Sequence, residues 1–108
     1  MTPNEYQDFT LSVAIYPGAG TGNDAELTYL ALGLNGEAGE VAEHIKKHIR
    51  DGKLNLGELA YELSDCLWYL ARFADSIGYS LENLMEINMS KLTRRKLNDQ
   101  LSGSGSSR

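Results

Sequence analysis

The sequence predicts an all-α fold, a small helical bundle built on a central antiparallel hairpin and completed by oligomerisation. Three observations carry that reading. Helix-start signals recur along the chain, apolar residues repeat at three- and four-residue spacing, and no stretch alternates apolar with polar as a half-buried strand would.

The elements follow in order. Thr2-Pro3-Asn4-Glu5 supplies an N-cap Thr, Pro at the first helical position and Glu three residues after the cap, which predicts a helix from Pro3 to about Ile15. Pro17 with Gly18, Gly20 and Gly22 then forbids regular structure. Asn23 with Glu26 makes a second capping box and opens a long helix to about Arg50, with Gly52 as its terminator. Asn55 with Glu58 makes a third. Behind it Leu56, Leu59, Leu63, Cys66, Leu67, Leu70, Phe73, Ala74 and Ile77 form a helical apolar stripe, ended by Gly78. Ser80 caps a last helix through Leu81, Leu84, Ile87 and Leu92 to about Asn98. The two central helices, joined by a short loop, pair as a hairpin.

A chain of 108 residues is one domain, placed at 1–98, and SGSGSSR marks 99–108 as a flexible tail. A formal net charge of −5 argues against a partner recognised through a nucleic-acid backbone. No apolar run approaches the ~20 residues of a membrane span, so no membrane partner is expected. The start MTPNEYQDF is polar and acidic, unlike a signal peptide, and a cytoplasmic protein is expected. Cys66, the single cysteine, has no disulfide partner within the chain and fits a small core position.

The segment LGLNGEAGEV concentrates the chemistry. Gly33, Gly36 and Gly39 stand three apart, and Glu37 and Glu40 lie among them at the same spacing. Glu62 and Asp65 repeat that spacing on the next helix. Residues three apart share a helix face, and antiparallel pairing about the 51–56 turn brings both pairs to similar heights beside apolar stripes. Converging carboxylates repel, and a hard divalent cation compensates them. The plain alternative is a solvated acidic surface. The glycines are expected to allow close helix approach and to leave room beside the acids. A phosphate-binding glycine loop is set aside because no Lys-Ser/Thr follows. Glu40, His44 and His48 have spacing that suits zinc, but no Glu follows the first His and Lys46 and Lys47 crowd the segment.

GEAGEVAEHIKKHIRDG followed by ELAYELSDCLWYLA resembles the MazG-type all-α nucleotide pyrophosphohydrolases, relatives of dimeric dUTPases, dCTPases and phosphoribosyl-ATP pyrophosphohydrolases. The family core, EExxE then ExxD, reads here as Gly36-Glu37-Ala38-Gly39-Glu40 and Glu62-Leu63-Ser64-Asp65, so the leading acid of the first motif is Gly36. The resemblance spans roughly Tyr6 to Arg95. It implies a hydrolase that converts a ribo- or deoxyribonucleoside triphosphate to the monophosphate and pyrophosphate, in nucleotide-pool housecleaning. It implies Mg²⁺, with Mn²⁺ able to substitute, on Glu37, Glu40, Glu62 and Asp65, which also serve as the catalytic acids. Asn88, Lys91 and Arg95 are expected to meet phosphates and Gln7 to lie near the base. Tyr69 and Arg72 are expected to continue the acidic face. Trp68 is either core or a wall of the base pocket. A homodimer or dimer of dimers completes the site. The alternative, which Gly36 keeps open, is a non-catalytic helical dimer that binds nucleotide or metal.

Overall fold

Four helices occupy residues 1–98, the part of the chain described by this computed structural model: α1 (Pro3–Ser12), α2 (Asp24–Asp51), α3 (Leu56–Ser76) and α4 (Leu81–Leu97). No strand occurs among the described residues, so the all-α expectation holds. The expected tail at 99–108 lies outside them.

The caps explain the boundaries. Thr2 Oγ1 accepts from Glu5 N at 3.1 Å while Glu5 Oε1 accepts from Thr2 N at 2.9 Å, a complete capping box. Asn23 and Asn55 accept from Glu26 N and Glu58 N at 3.0 and 3.1 Å, but no glutamate side chain reaches back, so these boxes are half-formed. Ser80 accepts from Asn83 N at 3.0 Å. α2 stops at Gly52, whose φ of 76° turns the chain and whose N–H reaches His48 O at 2.7 Å. α1 ends at Ser12, three residues before the expected Ile15, in a segment whose β-branched Val13 and Ile15 favour a helix weakly. The early stop lets the following turn carry Tyr16 into the core.

α2 packs on α3 alone, whereas α1 and α4 pack on α3 and on each other. The bundle is thus thick around the C-terminal half of α3 and thin along the hairpin. Tyr16, Leu30, Ala71, Ala74 and Leu81 are the buried apolar residues among those described. Leu30 is fully buried, whereas Ile45, Ile49 and Ile77 are exposed. Leu56, Leu63, Leu67 and Leu70 on α3 are all at least 40% exposed.

Much of the packed end is held by polar groups. Gln7 is buried, and its side-chain amide donates to Ala71 O (3.0 Å) and Tyr79 O (3.2 Å) while its carbonyl accepts from Leu81 N (3.0 Å). One side chain thereby ties α1 to α3 and to the start of α4. Arg72, 1% exposed, donates to Thr10 Oγ1 at 2.9 Å and to Asp75 Oδ2 at 2.8 Å. Glu26, fully buried, accepts from the Tyr16 hydroxyl, from Gly20 N (2.8 Å) and from Gly22 N (2.8 Å). The glycine-rich connection therefore wraps a carboxylate of its own chain, which satisfies loop amides that lack helical partners.

Candidate metal centre

Glu37 on α2 and Glu62 and Asp65 on α3 each turn a carboxylate oxygen to a common point, the three atoms lying within 4.8 Å of one another. Glu37 and Glu62 are half-buried and Asp65 is exposed. Burial pushes the Glu37 carboxyl up, and a hydrogen bond with Glu62 and the charges of Asp65, Glu62 and Glu40 push it further.

Glu40, expected as a fourth member, stands outside this group and is exposed. Helix geometry gives the reason. A step of three residues turns about 60° away from the starting direction, whereas a step of seven returns to within about 20° of it. The face of α2 turned toward α3 therefore carries Glu37 and His44. His44 Nε2 lies 3.6 Å from Glu62 Oε1, so the imidazole sits against α3 and not in a Glu40-His44-His48 zinc triad.

Aromatic rings border the acids. A Cβ at Gly33 would collide with the ring of Tyr69, so Gly33 permits the close approach that places Tyr69 there. Gly36 and Gly39 have nothing within 4 Å and face open space, so close approach rests on Gly33 alone within one chain. Burial raises the Tyr69 phenol to about 12, with Tyr29, Glu37 and Asp65 adding to it. Burial also raises Tyr6, with Asp65 adding to it, and the Cys66 thiol, with Glu37, Asp65 and Glu62 adding to it. Trp68 is half-buried and meets Tyr69 and Tyr16 edge-on, with centroids 5.1 and 5.9 Å away. Tyr16 in turn stacks on Tyr29 at 4.7 Å. Trp68 is thus both packed within the fold and next to the residue that borders the acids.

Other expected site residues lie apart. Gln7 is engaged by backbone on every arm of its amide. Arg72 does not continue the acidic face but points inward to Thr10 and Asp75, because the C-terminal half of α3 is where α1 closes over it. Lys91 lines a cavity of about 430 Å³ with Asn83, Glu86 and Arg94 on α4. Asn88 lines a separate, apolar one of about 400 Å³ with Leu67, Leu70 and Leu84. Arg95 is 3% exposed. α4 does not pack on α2, so these groups and Glu37 stand on helices that do not touch each other. The Glu26 network escaped sequence reading because Glu26 occupies the third position after its cap, where a surface capping role is the default. Tyr16, an aromatic residue just before the glycines, was the available signal that this loop is packed.

Fold and site together define an all-α protein with a carboxylate cluster held between the two helices of a long hairpin. Residues 25–98 match the model of the MazG nucleotide pyrophosphohydrolase domain, and the chain belongs to that family. It is 39% identical over 109 residues to the Gene 37 protein of Mycobacterium phage L5, a match that covers 95% of this chain and 96% of that one. No solved structure matches. Among the described residues no helix is long and apolar enough to cross a membrane.

Proposed function

We propose that this chain is a Mg²⁺-dependent pyrophosphohydrolase that splits a nucleoside triphosphate, ribo- or deoxyribo-, into the monophosphate and pyrophosphate as nucleotide-pool housecleaning in the cytoplasm. One observation carries the reading: Glu37, Glu62 and Asp65 converge between α2 and α3 in a chain whose residues 25–98 match the MazG domain. The donor set suits the ion. Three hard oxygen donors leave room for waters and phosphate oxygens, as Mg²⁺ requires and Mn²⁺ accepts. Burial raises the Glu37 carboxyl and the charges of Asp65, Glu62 and Glu40 add to it, a repulsion that a cation would relieve. Bound there, the ion supplies charge neutralisation of the polyphosphate and a more acidic water.

The residues of the chain do the rest. Glu37, Glu62 and Asp65 hold and orient the site, and Glu40, one turn along α2, adds negative potential at its mouth. One of these acids takes the proton of the attacking water. Tyr69 and Trp68 wall the space beside the acids and shield it from solvent. Asn88 and Lys91 serve phosphates through a second copy, whereas Arg95, 3% exposed, is enclosed in its own chain. The exposed leucines of α3 support that homodimer, or dimer of dimers, because among the described residues they leave an apolar stripe that the other helices cover only in part.

Pyrophosphate release across the common ribo- and deoxyribonucleoside triphosphates with Mg²⁺ tests the reading. One or a few substrates are expected to turn over, with Asp65→Asn slower by about 10²-fold or more. Turnover of none, with nucleotide still bound, would replace this reading with a non-catalytic nucleotide-binding dimer.

A further inference from the structure

We propose that His44 is a positioning residue for the metal centre, holding the Glu62 carboxylate from the side away from Glu37. The inference rests on the metal-site reading above and adds a residue that the ExxE and ExxD acids do not include.

Glu62 is approached from two places on α2. Glu37 brings a carboxylate oxygen within 4.8 Å of one of its own, and His44, seven residues further along, brings Nε2 to 3.6 Å from Oε1. Seven residues span about 10 Å of helix, so the two α2 groups flank Glu62 along the axis. His44 lies outside the group of three carboxylates that close to within 4.8 Å, so it is set apart from the proposed ligands. The 3.6 Å separation is about 0.6 Å longer than an ordinary N–H···O bond. Both side chains retain some freedom, at 20% and 23% exposure, and a small rotation of either closes the gap. A proton on Nε2 then engages Oε1 and leaves the other carboxylate oxygen to the cation. Without this support, Glu62 is free to turn away from the ion. Carboxylates that bind metals are commonly held this way, and loss of the supporting group costs about 10- to 100-fold in metal affinity. Two of the neighbouring basic groups, Lys46 and Arg50, are engaged elsewhere. Lys46 meets Glu43 at 3.0 Å, and Arg50 meets Asp51 at 2.8 Å.

The test is Mn²⁺ binding to the nucleotide-free protein, read by the loss of the free-ion electron paramagnetic resonance signal. Asp65→Asn, His44→Ala, His44→Gln and His48→Ala are compared with the parent, and metal-free melting confirms that each folds. The expected result is Mn²⁺ affinity lowered about 10- to 100-fold in His44→Ala, recovered within a few-fold in His44→Gln, whose amide restores a donor, and unchanged in His48→Ala. If Asp65→Asn weakens binding and His44→Ala does not, the acid site stands and this role for His44 falls. If Asp65→Asn leaves binding unchanged, the acid site itself falls, and the role of His44 with it. Hyperfine coupling of bound Mn²⁺ to a nitrogen that disappears in His44→Ala would also overturn the proposal, by making His44 a ligand.

Discussion

Glu26 and Glu37 are carboxylates of one helix driven in opposite directions by their surroundings. Burial pushes Glu26 up, but the Tyr16 hydroxyl, the Gly20 and Gly22 amides and the charge of Arg72 outweigh it and leave its pKa below 4.5. A folded pKa below the unfolded one means stability that is present above the unfolded value and lost as pH falls through the folded one. Melting temperature is therefore expected to fall as pH drops below about 4.5. Glu26→Gln, which loses charge-assisted bonds, is expected to cost about 2 kcal/mol at neutral pH and to flatten that acid limb. An unchanged acid limb in the variant would show that the loop does not depend on this carboxylate. Glu37 is raised by burial and by the surrounding carboxyls. Its charged form is disfavoured in the folded protein, so neutral pH works against stability there. Glu37→Gln is expected to leave the metal-free protein as stable as the parent or more so at neutral pH, and to shrink the rise in melting temperature on adding Mg²⁺. Chelator treatment of the parent should reproduce the low-melting form.

Along α2, the three glycines that look equivalent in sequence have different surroundings. Gly33→Ala drives a methyl into the ring of Tyr69 and is expected to cost about 1–3 kcal/mol. Gly36→Ala and Gly39→Ala meet open space and are expected to add up to about 1 kcal/mol each through helix propensity. Urea denaturation reads all three; a destabilised Gly36→Ala or Gly39→Ala would mean that another chain covers that face in solution. One residue of α1, Gln7, bonds both to α3 and to the start of α4. Gln7→Ala leaves Leu81 N, Ala71 O and Tyr79 O without this partner in a buried setting, and a loss of about 2–3 kcal/mol is expected in the same measurement.

At the scale of the molecule, the hairpin is packed on too few sides. α2 has only α3 as a neighbour, the buried apolar set is small, and the α3 leucines are open. A second copy is expected to cover them, so sedimentation should show a dimer or larger species. Leu63→Asp with Leu67→Asp should dissociate or unfold it. A composite site has a sharper signature. Asp65→Asn and Lys91→Ala, both inactive alone, should regain activity when unfolded and refolded together, because mixed dimers carry one site with both residues intact. Random pairing restores about a quarter of the sites. No recovery would place Lys91 outside the partner's site.

How much of this was legible beforehand follows from the range of the interactions involved. Thr2, Asn23, Asn55 and Ser80 act on backbone within three residues, so the four helix starts could be read from the chain. The apolar period of α3 and the ExxE and ExxD spacing are equally local, and they carried the all-α fold and the acidic hairpin. Whether Glu37 or Glu40 faces α3 depends on the rotation of α2 about its axis. That rotation is decided by contacts such as Gly33 against Tyr69, between residues 36 apart in the chain. Arg72 shows the same limit: its period places it near the acids, but the closure of α1 turns that part of α3 inward toward Thr10. Local hydrogen bonding and periodicity, which need no knowledge of neighbours, determined the elements and the acids they carry. Only the tertiary structure decided which acids meet, that Glu26 is spent on a loop, and that α4 stands apart from α2, because each depends on the packing of helices distant in sequence.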